Sequence, residues 1–288
     1  MHTPKVWFVT GASSGFGRSM TEFVLSQDDI VVATLRKPEA LNDLAARYPA
    51  EKLLVLKVDV TKQEDVDHAF ARTKEVFGRL DVVFNNAGYA VFGEAEGTPA
   101  SDARAMFDVN FWGLASVSRA AIQFFRESNE PGKGGVLLQM SSIAALASPP
   151  GVSFYAATKH AVEGFSESLA QELLPSWNIK ICIIEPGGFN TNATASATIL
   201  PQHPAYTSSA TALSRAALPG AIFDGDADKF TKTVYRMATG NDIPLRLPMG
   251  HDALGALTAK VEELSSVVVE AALWSADLKR DGVDTPAV

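Results

Sequence analysis

Short apolar runs alternate with longer amphipathic stretches along most of this chain, and that alternation constrains its fold more than any other feature. The runs are VWFVT (6–10), IVVATL (30–35), LLVLKV (53–58), DVVFN (81–85), GVLLQM (135–140) and IKICII (179–184). Their Val, Ile and Leu residues are nearly continuous rather than strictly alternating with polar ones, which describes strands covered on both faces. Between them, residues 14–27, 38–48, 62–78, about 100–127 and 153–174 have helical spacing and polar outer faces. Thr61, Asp102 and Ser153 stand where three of these helices need N-caps. Such repetition predicts an α/β fold, a doubly wound parallel sheet in a single domain over 1–288. DIPLRLPMG (242–250) adds one more short strand, and a helix follows over about 251–278. Pro-, Ala-, Ser- and Thr-rich sequence after residue 190 predicts an insertion at the binding face, a substrate lid over about 192–240. The tail at 280–288 is expected to fray.

Composition excludes several classes. The net charge is −8 with no long run of Lys or Arg, so the footprint for nucleic acid is missing. No apolar run approaches the roughly 20 residues that a membrane span needs. The single cysteine, Cys182, lies in an apolar strand, which gives no disulfide framework and suits a reducing compartment. No export signal is visible before the first strand, so a cytoplasmic location is expected. The five histidines lack metal-ligand spacing, and no metal site is expected. The NAT triplet at 192–194 reads as a chance match to a glycosylation sequon.

The first strand runs directly into TGASSGFG (10–17). Glycines there let the backbone turn tightly, and the following helix offers unpaired N–H groups and a positive dipole end that suit a pyrophosphate. The second strand ends at Leu35, where a site preferring NAD carries an acid for the ribose hydroxyls. Arg36 and Lys37 follow instead, and a guanidinium suits a 2′-phosphate, so the pattern favours NADP(H) over NAD(H). Further along, Tyr155 and Lys159 are four residues apart on a helix, which puts a phenol beside an ammonium.

TGASSGFG, DV at 59–60, NNAG at 85–88, Asn110, SS at 141–142, YxxxK at 155–159 and PG at 186–187 occur in that order. The set resembles the short-chain dehydrogenase/reductase family over residues 5 to 192, and PLRLPMGHDA looks like its branch of steroid and retinol dehydrogenases. The resemblance implies a Rossmann-type sheet of about seven strands with helices on both faces. It also implies roles for individual residues. Tyr155 would be the acid in carbonyl reduction and the base in alcohol oxidation, and Lys159 would lower its pKa and hold the nicotinamide ribose. Ser142, thirteen residues before the tyrosine, would bind the substrate oxygen; Asn110 would anchor a water that relays protons to Lys159. Gly11, Ser13, Ser14, Gly15, Phe16 and Gly17 would line the pyrophosphate turn, and Arg36 the 2′-phosphate. Asp59 and Val60 would contact the adenine, Asn86, Ala87 and Gly88 the crevice, and Pro186, Gly187 and Thr191 the nicotinamide.

The expected activity is NADP(H)-dependent transfer of a hydride to or from a small, largely apolar carbonyl or alcohol, a CH–OH donor. Tyr89, Phe92, Phe154 and Phe189 would line an apolar pocket. A homodimer or homotetramer built from the helices at about 100–127 and 153–174 is implied as well. Two alternatives stay open: a cofactor-sensing regulator or scaffold without turnover, and an epimerase or dehydratase on the same scaffold.

Overall fold

The computed structural model describes residues 3–191, 197–218, 223–276 and 278. The NAT triplet, the lid residues 192–196 and 219–222, and the tail 280–288 lie outside the described residues.

Seven parallel strands form one sheet: β1 (Val6–Thr10), β2 (Ile30–Leu35), β3 (Leu53–Lys57), β4 (Val82–Asn85), β6 (Gly135–Met140), β7 (Ile179–Pro186) and β11 (Arg246–Met249). Their order is β11-β7-β6-β4-β1-β2-β3. The chain reverses direction across the sheet between β1 and β4, the switch point where open α/β sheets place their ligands. The expected doubly wound sheet of seven strands is present.

Side-chain alternation explains why the strands read as continuous apolar runs. Trp7 and Val9 point to one face, against Met20 and Val24 of α1 (Gly15–Ser26) and Phe230 and Val234 of a late helix, α9 (Ala227–Ala238). Val6 and Phe8 point to the other, against Phe70 of α3 (Gln63–Phe77) and Val117 and Phe125 of α5 (Leu114–Glu127). Both faces are buried, so neither needs a polar residue.

The stretch at 38–48 is a 3₁₀ turn over Pro38–Leu41 followed by one turn of helix, α2 (Asn42–Ala45), and Arg18 donates to the Ala40 carbonyl at 3.0 Å. The helix expected at 100–127 begins as α4 (Ala100–Phe107), loosens into a π-turn over Asp108–Gly113 and continues as α5. None of the three expected N-caps is one. Lys62 precedes α3 while Thr61 spends its hydroxyl on Asp59; Pro99 precedes α4, which leaves Asp102 in the first turn; and Ser153 is the first residue of α7 (Ser153–Glu172).

The stretch expected as a lid is of two kinds. Residues 198–217 are held to the body by a small parallel pair, β5 (Val91–Phe92) with β9 (Thr198–Ile199), and by the helix α8 (Ala210–Ala217). Arg215 of that helix pairs with buried Glu94 at 3.0 Å, lies over the Phe92 ring at 5.1 Å and donates to the Leu200 carbonyl. Helix α9, by contrast, belongs to the core: Phe230 and Val234 are fully buried. A second short pair, β8 (Phe189–Asn190) with β10 (Gly225–Asp226), leads into it. The final helix, α10 (His251–Ser275), starts against β11 and α6 (Ala144–Ala147).

Candidate active site

The glycine turn closes on itself between β1 and α1. Gly11 (φ +67°) and Gly15 (φ +53°) occupy left-handed backbone. A Cβ on Gly17 would lie 2.3 Å from the Gly11 carbonyl oxygen, so the helix approaches the strand end only because that atom is absent. Ser14 precedes α1 without a side-chain cap bond, and the first turn holds no acidic residue. The N-terminal amides of α1 thus face an electropositive opening, which fits the phosphates of a dinucleotide. Ser13 and Ser14 are exposed beside it, and Phe16 instead packs on Phe189 and Phe230.

Thr10 ties this turn to the end of β4. Its hydroxyl accepts the Asn86 and Ala87 amides at 2.8 and 2.9 Å, and the Asn86 amide group donates to its carbonyl at 2.9 Å. Asn85 faces the other way: its buried amide binds the Leu114 carbonyl, Ser118 and Gln139. The first asparagine of NNAG therefore braces α5, and the second shapes the crevice.

At the far side of the crevice Asn110 sits inside the π-turn, fully buried. It donates to the Tyr89 carbonyl (2.9 Å) and the Thr158 hydroxyl (3.1 Å) and accepts the Tyr89 amide (3.0 Å). The widened turn aims one side chain at an adjacent loop and at α7 together. A Cβ on Gly88 would fall 3.0 Å from the Asn110 Oδ1 and 3.7 Å from the Lys159 Nζ, so this glycine keeps the space between them clear.

Lys159 is buried on α7 and donates to the Met140 carbonyl at 2.7 Å. Burial lowers its pKa to about 8, against the pull of Glu163 one turn on. Tyr155 is one turn back, with its ring centroid 5.7 Å from the Lys159 Nζ. Burial raises its phenol above the ordinary value, and a hydrogen bond with Ser142 works against that. In the free protein, burial, opposed by Ser142, sets the phenol. Ser142 also accepts the Ala144 amide at 3.1 Å, while the neighbouring Ser141 hydroxyl is buried and without a partner. The thirteen-residue spacing picks the serine that reaches the tyrosine.

The remaining expected contacts spread around this centre. Asp59 accepts the Thr61 amide and hydroxyl; burial would raise its pKa, but these bonds and the charges of Arg36 and Lys62 hold it low. Val60 packs where a Cβ on Gly113 would intrude. Arg36 is exposed past the end of β2. Pro186 ends β7, and Thr191 lies just beyond β8. The Asp252 carboxylate of α10 accepts the Gly188 amide at 2.6 Å and occupies the place a Gly187 Cβ would need. Among the aromatic residues expected to line a pocket, Phe189 is held by Phe16 and Phe230, and Phe92 is buried beneath Gly151 and Arg215. Tyr89 and Phe154 remain partly exposed. Among the described residues no group of His, Cys, Asp and Glu is arranged to hold a metal ion, and no helix is long and apolar enough to cross a membrane.

Sequence reading missed one charged cluster. Arg246 of β11 hydrogen-bonds Glu163 and Glu167 of α7 and Glu185 of β7. Burial and the neighbouring Glu163 push the Glu185 carboxyl up to about 7, against Arg246. One oxygen of Glu163 and one of Glu185 stay unpartnered. These residues are up to 83 positions apart, so no local pattern marks them.

A family model described as short chain dehydrogenase matches residues 5–199. Oxidoreductase calM of Penicillium decumbens is 37% identical over 269 residues, which cover 89% of this chain and 87% of that protein. A short-chain dehydrogenase structure from Streptomyces avermitilis superposes with a TM-score of 0.86 at 34% identity, over 96% of this chain and 99% of that one. Two more distant structures, at 23% and 21% identity, share the fold with TM-scores of 0.72 and 0.71. The first, from Burkholderia phymatum, holds NAD and covers 99% of this chain and 98% of its own. The second, from Burkholderia cenocepacia, holds NADP and covers 93% and 97%.

Proposed function

The chain belongs to the short-chain dehydrogenase family, and on that premise we propose that it is an NADP(H)-dependent oxidoreductase for a carbonyl or secondary alcohol on a small, largely apolar molecule, such as a ketone, steroid, retinoid or terpenoid. The observation that carries this reading is the convergence of Ser142, Tyr155, Lys159 and Asn110 at the carboxyl ends of the strands. The bound nicotinamide supplies or takes up the hydride.

The chain's residues manage the other half of the reaction. Ser142, already hydrogen-bonded to Tyr155, holds the substrate oxygen beside the phenol. Tyr155 delivers its proton to that oxygen as negative charge develops, or takes it back in the oxidation direction. Lys159, buried and charged below pH about 8, stabilises the phenolate left behind. Asn110 fixes the Tyr89 loop against α7, so the lysine and the loop keep their spacing. On the nucleotide side, the α1 amides take the pyrophosphate and the turn at Asp59 and Val60 borders the adenine. Arg36, whose field already reaches Asp59, takes the 2′-phosphate. The assembly is homo-oligomeric, through the surfaces of α5 and α7.

NADPH consumption measured against a panel of ketones, aldehydes, steroids and terpenoids tests the reading, with NADPH affinity measured alongside. Turnover of at least one substrate class is expected. Tight NADPH binding without turnover across the panel would replace it with a sensing or scaffolding role.

A further inference from the structure

Helix α10 leaves the body after its first turns. Ala253 is fully buried, and Ala256, Leu257 and Lys260 are partly covered, but every residue from Val261 to Glu270 is exposed. An isolated helix of such length is marginal in water. This one also displays large apolar side chains, with Val261 56%, Val268 70% and Trp274 85% exposed.

The apolar residues of this helix are ordered. Exposed Leu254, Val261, Leu264 and Val268, with partly covered Leu257 and Ala271, follow one another at intervals of three and four, a heptad seam with Leu254, Val261 and Val268 at a and Leu257, Leu264 and Ala271 at d. β-Branched valine at two a positions (261 and 268) with leucine at two d positions (257 and 264) favours two strands. Val267 and Trp274 at g widen the stripe. Glu262, Glu263 and Glu270 all fall at b and c, so none meets its own copy across a seam. Val269 and Leu273 lie on the outer side and stay outside it. Three glutamates against the single Lys260 on this exposed length disfavour an anionic lipid surface.

We propose that α10 pairs with α10 of a second copy of this chain, parallel and in register about a two-fold axis, along Leu254, Val261, Leu264 and Val268. This surface is separate from α5 and α7 and rests on no assumption about the reaction.

The test uses the full chain at micromolar concentration, by sedimentation and light scattering. A species of at least twice 30.7 kDa is expected. The double variant Val261→Glu, Val268→Glu places four like charges in the seam, so it should halve the assembly mass and weaken association about 100-fold, some 2.7 kcal/mol. Both positions are exposed, so the single chain should still fold, with its helix and sheet content unchanged by circular dichroism. Val268→Cys should form an intermolecular disulfide under mild oxidation, whereas Ser266→Cys, on the outer side, should not. The native Cys182 is fully buried and gives no background. A wild-type monomer, an unchanged mass in the charged variant, equal cross-linking at 266 and 268, or a monomer that floats with phosphatidylcholine vesicles would each overturn the proposal.

Discussion

The Lys159 ammonium and the Tyr155 ring are 5.7 Å apart on one face of α7, yet the ammonium spends a hydrogen bond on the Met140 carbonyl. In the free protein, burial moves the lysine's pKa downward and the phenol's upward. Such a pair is costly to bury.

Substitutions here should separate function from stability. Tyr155→Phe removes one oxygen, so folding and NADPH affinity should survive while turnover drops 10²–10⁴-fold, roughly the usual contribution of a positioned acid. Ser142→Ala should also lower turnover with cofactor affinity kept. Lys159→Met should lose both turnover and NADPH affinity while raising Tm, because a buried ammonium is removed. A Tyr155→Phe enzyme working at the parental rate would refute the assignment.

Cofactor choice should depend on Arg36. The unmodified protein is expected to bind NADPH about tenfold or more tightly than NADH, a difference of ~1.4 kcal/mol. Arg36→Asp should narrow or reverse that ratio by turning attraction into repulsion at the 2′-phosphate. Equal dissociation constants in the parent, measured by calorimetry, would contradict it.

The segment 198–217 should open on a single contact. Burial would raise the Glu94 carboxyl, but hydrogen bonds from its own amide, the His203 amide and Arg215 hold it low. Arg215→Met leaves that carboxylate buried and unpaired. Amides of 198–217 should then exchange about tenfold faster, with those of the sheet unchanged. Equal protection in variant and parent would show that the strand pair β5–β9 suffices.

Glu185 makes stability depend on pH. Its folded pKa, about 7, lies above the ~4.3 of a free glutamate. Between those values the folded state keeps a proton that the unfolded state has released. The stabilisation is therefore whole below about pH 4.3 and fades as pH rises through 7. Glu185→Gln should remove this slope, so its Tm advantage over the parent should grow from pH 5 to pH 8. A gap constant across that range would place the titrating proton elsewhere.

The strands and the site motifs were legible because each has a local signature. Two-faced burial writes Val, Ile and Leu runs, and tight turns write glycine. The π-turn at Asn110 had none, since the inward pull comes from Tyr89 and Thr158 on other elements. The core character of α9 was hidden as well. Phe230 and Val234 have helical spacing, but their burial depends on α1 lying opposite. Thr61 failed as a cap because α3 starts only at Gln63, after Lys62, and its hydroxyl donates to Asp59 instead. The Arg246 cluster joins three elements, and only the tertiary fold assembles it.

Asp252 anchors the first turn of α10 to the Gly188 amide, next to the Pro186–Gly187 corner. Beyond Lys260 the same helix is bare. It is a handle with its root in the site, and a hold on the outer turns restrains the corner at the root. If the proposed pairing forms, dilution should release that hold and leave the corner freer, so cofactor affinity is expected to rise with the protein's own concentration.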